Sequence, residues 1–147
     1  MSQENIIREL VGLQDVIVDK VEQNENEIHI HIKLERKVHS CPCCHSQTDK
    51  VHDYRTQKVR DINILGKKVY LLLRKRRYVC PHCDKRFYED NSFLPRYHRI
   101  TNRMTAWIIS MLKSSHSFKE IATVSGLSEF TVTRRFDMLS FHRKSLP

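Results

Sequence analysis

The chain has 147 residues and a mass of 17.6 kDa, enough for one ordinary domain or two small modules and too little for a large enzyme core with accessory parts. Its 26 Lys and Arg against 17 Asp and Glu leave a net +9 and a pI near 9.5, which suggests a polyanionic partner without proving one. Apolar stretches such as Val69 to Leu73 fall far short of the roughly 20 residues a bilayer crossing needs, and the start Met-Ser-Gln-Glu-Asn lacks a signal-peptide profile, so a soluble intracellular protein is expected.

In chain order, residues 1–40 carry five basic and eight acidic residues, so the positive excess lies wholly beyond them. A short helical stretch near Asn5 to Leu10 leads into Val16 and Val18, then Ile28, Ile30, Ile32 and Leu34, which alternate with polar residues at period two. With the polar run Glu22 to Asn26 between them, residues 15–35 are expected to form a hairpin with one buried face, serving as a scaffold. From Asp61, the pattern Ile62, Ile64 and then Lys67 to Val79 favours strands turning at Gly66. After Pro95 the character changes. Thr101 is suited to cap a helix whose Met104, Trp107, Ile108, Met111 and Leu112 form one apolar stripe, and two more helices follow at about 118–124 and 129–141. The expected fold class is α+β, a β-rich module followed by an all-helical one, with a boundary near residues 90–100. The expected division is 1–40, 41–94 and 95–147.

Four of the five cysteines fall into two Cys-Pro-x-Cys pairs, Cys41 to Cys44 and Cys80 to Cys83. Two such pairs close a four-thiolate shell around one tetrahedral zinc ion, and their long separation suits a zinc ribbon in which each pair makes a tight knuckle and a hairpin fills the interval. The repeated proline selects Cys41 and Cys44, rather than Cys43, as the mirror of Cys80 and Cys83. A thioredoxin-like redox pair needs a βαβ context that is missing here, and unmetallated thiols remain the other alternative. His45, His52 and His82 are near enough to replace a cysteine, though a histidine beside such a site is more often a solvated loop residue. A shell closed by four protein ligands leaves no position for water, so the metal's expected role is to fold the module.

Residues Phe118 to Phe136 read as a helix-turn-helix: Ala122 is small where helices meet, Gly126 permits a left-handed turn, Val132 packs back, and Ile121 and Leu127 supply a shared core. Ser128 is placed to cap the second helix, whose outward positions carry Glu129, Thr131, Thr133 and Arg134, residue types suited to base edges and phosphates. A helical hairpin that merely packs is the alternative, and Arg135, where an apolar residue is commoner, leaves the register open by one position. Arg96, His98, Arg99 and Arg103 open the first helix and are candidates for phosphate contacts. The run Arg74 to Arg77 is a second cationic candidate. On a strand only alternate members, Arg74 and Arg76, address one partner, and charge that discourages edge pairing would look the same. The carboxylates Asp49, Asp53, Asp61, Asp84, Glu89 and Asp90 are expected as surface ion partners of cationic loops.

The succession Cys-Pro-x-Cys, Val51-His52-Asp53-Tyr54-Arg55, Val59-Arg60-Asp61, Gly66 to Leu71, the basic strand, the second Cys-Pro-x-Cys and Arg86-Phe87-Tyr88-Glu89, followed by a helix-turn-helix, resembles the front end of the ISL-three type insertion-sequence transposases from about residue 10 onward. The resemblance implies zinc held by Cys41, Cys44, Cys80 and Cys83, and a reading helix around Thr131 to Arg135. It also implies double-stranded DNA, in particular the element's terminal inverted repeats, as partner, with a homodimer holding two ends in a bacterial, nucleoid-associated setting. In that family an RNase H-like core with an acidic triad follows. This chain stops at about where that core would begin, so a non-enzymatic DNA-binding module is expected. A small repressor occupying the same ends, or a zinc ribbon that docks on a protein, are the other readings.

Overall fold

The computed structural model describes residues 15–89 and 99–144, together with Ile6, Ile7, Glu9 and Leu94, with side chains as far as Asp137. The element order is β1 (Val16–Gln23), β2 (Glu27–Leu34), β3 (His39–Ser40), β4 (Gln47–Thr48), β5 (Val51–Ile64), β6 (Lys67–Val79), β7 (Arg86–Tyr88), then α1 (Asn102–Lys113), α2 (Phe118–Ser125) and α3 (Glu129–Lys144). A strand-rich part thus precedes three helices, as the hydrophobic periods require. Of the expected first helix only Ile6, Ile7 and Glu9 lie among the described residues, all three helical. Among the described residues no helix is long and apolar enough to cross a membrane.

The expected hairpin forms, β1 pairing β2 antiparallel from Val16 opposite Leu34 to Gln23 opposite Ile28. It does more than support. β2 runs parallel to β6, with Ile28, Ile30 and Ile32 opposite Val69, Leu71 and Leu73, so the principal sheet has the order β1-β2-β6-β5 with β7 added to β6. The sheet therefore runs across the boundary expected at residue 40. Val16, Val18, Ile30, Ile32, Val59, Val69, Leu71 and Leu73 are all buried on one face, with Leu94 and Ile7 packed over them.

β5 begins ten residues before the expected strand and pairs along nearly all of β6. Along β6 the buried positions are Val69, Leu71 and Leu73, and then Arg76 and Tyr78, followed just past the strand by Cys80. Because successive strand residues face opposite sides, this shift from odd to even numbers moves the buried face to the other side of the sheet. There Tyr78 stacks on Phe87 at 6.0 Å and lies 4.6 Å from the His39 ring, a small second core beneath the cysteines.

β5 and β6 are joined by the two-residue turn Leu65-Gly66, both at positive φ, 52° and 75°. Two left-handed residues suit the twist of a hairpin, which is why Asn-Gly is the preferred pair. Leu65 is 93% exposed and gains nothing from packing. Leu65→Asn should stabilise the fold by about 1 kcal/mol, the cost of holding a branched side chain in that conformation, measured as a raised midpoint in urea.

Candidate zinc centre and nucleic-acid interface

Each Cys-Pro-x-Cys pair forms a turn of the same construction. The His45 amide donates to the Cys41 carbonyl and the Asp84 amide to the Cys80 carbonyl, both at 2.9 Å, while the Cys41 and Cys80 amides donate to Ser46 and Lys85 carbonyls. His45 and Asp84, the residues just after each pair, adopt positive φ of 62° and 58°. The first pair stands between β3 and β4, the second between β6 and β7. This brings the Sγ atoms of Cys41, Cys44, Cys80 and Cys83 within 4.8 Å of one another, with Cys41 to Cys83 at 3.4 Å and Cys44 to Cys80 at 3.5 Å. A tetrahedral zinc with bonds of about 2.3 Å places its sulfurs roughly 3.8 Å apart, so the set fits. All five cysteines are free thiols.

The electrostatics of the cluster call for a cation. Cys44 is lowered to about 6 by its contacts with the Ser46 hydroxyl and backbone and with Cys80. Cys83, in spite of a backbone hydrogen bond from Lys85, is pushed up to about 12 by the Cys41 thiol, by desolvation and by Cys44 and Cys80. Cys41, despite desolvation, is lowered too by backbone hydrogen bonds from Cys44 and Cys43, whereas the Cys83 thiol keeps its proton because it is hydrogen-bonded to its neighbours and partly desolvated. A divalent ion would take the place of that proton and bind all four as thiolates, and the four sulfurs form a structural zinc site. Among the described residues they are the one group of metal-ligand type that converges. Cys43 is exposed, its amide donating to the Cys41 sulfur at 3.4 Å, and His45, His52 and His82 are exposed outside the cluster.

The helical residues follow the expected pattern. Thr101 caps α1, accepting from the Met104 amide. Ser117 and Glu120 make a reciprocal capping box at α2, which ends on Gly126 at φ 77°. Ile108, Ile121, Ala122 and Val132 form the buried centre, with Trp107, Met111, Leu112, Phe118 and Leu127 around it. Ser128 caps α3, its Oγ accepting from the Thr131 amide at 3.1 Å and meeting the Thr131 hydroxyl at 2.8 Å. The Thr133 hydroxyl donates to the Glu129 carbonyl. Arg134 is exposed. Arg135 is half-buried, and its basicity is lowered by desolvation and by the neighbouring Arg134 charge.

The sheet and the helices are joined by charged side chains that the sequence places on the surface, and two of the expected surface carboxylates are corrected here. Asp61 is fully buried. It accepts from the Thr101 hydroxyl at 2.7 Å and from Arg103 through Nε at 2.9 Å and Nη2 at 2.8 Å, which ties the start of α1 to β5. Glu89 is also buried, accepting from the Arg76 amide at 3.0 Å and pairing with its guanidinium at 3.4 Å. Arg60, likewise buried, donates to the Asp61 and Val69 carbonyls, to Asn63 Oδ1 and to the Ser125 carbonyl, while Asn63 donates to the Val124 carbonyl. The sheet thereby satisfies the last carbonyls of α2, a place that favours positive charge. Desolvation lowers the Arg60 basicity. The chain at 99–101 lies beside β5, the Arg60 amide donating to the Arg99 carbonyl and the Thr101 amide to the Arg60 carbonyl.

Of the predicted cationic contacts, Arg74 and Arg99 are exposed, whereas Arg76 and Arg103 are held by Glu89 and Asp61 within the molecule. Arg96 and His98 lie outside the described residues, as does Asp90. Asp53 accepts a two-pronged contact from Arg77, which holds its carboxyl below the usual range.

Residues 37–83 match the zinc-finger of transposase IS204/IS1001/IS1096/IS1165, and residues 89–140 match the helix-turn-helix domain of transposase family ISL3. A transposase for insertion sequence element IS1001 from Bordetella parapertussis is 30% identical over 119 residues. That stretch covers 79% of this chain, and the chain spans 29% of the relative's length. No solved structure matches. With the four cysteines inside the first matched segment and the capped helix pair starting inside the second, the chain carries the zinc-ribbon and helix-turn-helix region of ISL3-type transposases.

Proposed function

We propose that this region recognises a specific double-stranded DNA site, the terminal inverted repeat of an insertion sequence, with α3 in the major groove and one copy engaging each element end. The observation that carries the reading is the N-terminal half of α3. Ser128 fixes its first turn, Val132 anchors it to the core, and Thr131, Thr133 and Arg134 lie on its accessible side. A hydroxyl that already donates internally still offers lone pairs and, in threonine, a methyl for thymine, while an arginine is the commonest reader of guanine. Arg99, Arg135 and Ser128 complete the contacts assigned to phosphates and helix positioning. Binding rather than strand cleavage is assigned to these residues, because four protein thiolates close the zinc shell and leave no place for water.

Competition between a duplex carrying an element end and a scrambled duplex of equal length, at physiological salt, tests the reading. The end should win by a factor of roughly 10³ or more, and Arg134→Ala should lower affinity for it by about 1–3 kcal/mol while relaxing preference at one base pair. Equal competition by the scrambled duplex would refute specific recognition.

A further inference from the structure

The side of the sheet opposite the apolar core carries a second organised surface. Strand register places Tyr54, Thr56, Lys58 and Arg60 of β5 beside Lys68, Tyr70, Leu72 and Arg74 of β6 on this side. Neither strand contributes a carboxylate to it over these positions. Glu22 lies on the edge strand β1, bound to Lys20, while Glu27, on β2 directly opposite Lys68, is bound to His29, and the nearby Lys58 and Lys68 charges help that contact hold its carboxyl below the usual range; Lys33, opposite Arg74, is paired with Asp19 at 3.1 Å. Among the described residues no carboxylate lies within ion-pair distance of Lys58, Lys68 or Arg74.

The cations are held rather than loose. The Lys58 ammonium lies 4.2 Å from the centre of the Tyr70 ring and the Arg74 guanidinium 4.0 Å from that of Tyr54. Such contacts restrict long side chains that otherwise lose much rotamer entropy on binding. They also occupy the ring faces that an unpaired base would stack on, which favours backbone phosphates of a duplex over single-stranded bases. Lys68 sits at the far end, its chain against Gly126, where an added Cβ would meet Lys68 Cε at 2.3 Å, so the surface ends at the turn between α2 and α3. From Arg74 to Lys68 a strand covers about 20 Å, comparable to roughly six phosphates along one DNA strand at 3.4 Å of axis each.

We propose that this sheet face, through Lys58, Lys68 and Arg74 with Tyr54 and Tyr70 behind them, is a second DNA-binding surface that grips the phosphate backbone beside the site read by α3. The proposal rests on the reading that the chain binds duplex DNA, but not on which sequence it reads. It is tested with the double variant Lys58→Gln/Arg74→Gln, titrated with a random-sequence duplex over a salt series. Loss of two phosphate contacts should reduce the slope of log affinity against log salt by nearly 2, with about tenfold weaker binding at low salt, equal for end and scrambled duplexes. An unchanged slope and affinity, in a variant with wild-type zinc content and circular dichroism, would overturn it. Should that variant fold poorly, lysine acylation of the unmodified protein decides: Lys58 and Lys68 should be protected by duplex, and equal labelling with and without DNA refutes the surface. Failure to prefer an element end would sink the specific reading while leaving this result standing.

Discussion

Replacing Cys41 with serine, or removing metal with a strong chelator, should abolish zinc binding and unfold the small β3–β4 ribbon and the β6–β7 end of the principal sheet. Cys41 and Cys80 are fully buried, and the strands that carry the two knuckles are only two and three residues long apart from β6. Beneath them lie little more than Tyr78, Phe87 and His39, too small a core to offset the entropy of ordering two loops. Structural zinc in small modules contributes about 10–16 kcal/mol, comparable to or above the whole stability of a typical domain, about 5–15 kcal/mol. Metal analysis should fall from one zinc per chain to none, and the near-ultraviolet signal of the buried tyrosine should collapse. The opposite core of Val59, Val69, Leu71 and Leu73 does not touch the cluster and should retain part of the far-ultraviolet strand signal. A chelated protein that kept both its tyrosine spectrum and its melting temperature would show that the four thiols do not need a metal.

Asp61→Ala should be the most damaging change outside the cysteines. The carboxylate has no solvent exposure and three separate donors, the Thr101 hydroxyl and the Arg103 Nε and Nη2 groups. Removing it strands a guanidinium and takes from Thr101, which still caps α1, its own acceptor. Breaking a buried ion pair from one side costs about 3–5 kcal/mol. The lower end applies here, since Arg103 keeps a third of its side-chain surface in water. Urea denaturation should show a lower midpoint, and a separate early transition for the three helices once their tie to β5 is lost. Asp61→Asn, which keeps the shape and the Thr101 contact but not the charge, should fall between. If both variants unfold with the wild-type midpoint, the pair is not what joins helices to sheet.

How much of this was legible depends on whether a residue's partner is near in sequence. The period-two run Ile28, Ile30, Ile32 announces β2, and the caps Thr101 and Ser128 and the left-handed Gly126 announce the helix ends, because each is a local signal. The repeated Cys-Pro-x-Cys announces the zinc site for the same reason. The first eight residues of β5 show no apolar alternation, since none of them is fully buried and backbone pairing to β6 carries the structure there. The parallel contact of β2 with β6 leaves no local trace at all. The sequence places Asp61 on the surface because carboxylates are rarely buried, yet it and Arg60 stand between Val59 and Ile62 inside a strand, where one of two neighbours must face inward. That juxtaposition was the available signal, and only the partners, Thr101, Arg103 and Ser125, tell what it means.

The pairing of β2 with β6 also governs how the protein is made. Ile30 must wait for Leu71, about forty positions later, and at ribosomal speeds of roughly 5–20 residues per second that is a delay of about 2–8 s. During this interval the nascent hairpin has an open edge and an uncovered row of isoleucines. The histidines and lysine interleaved on its other side, His29, His31 and Lys33, keep the waiting ribbon wettable on one surface until its neighbour emerges from the exit tunnel.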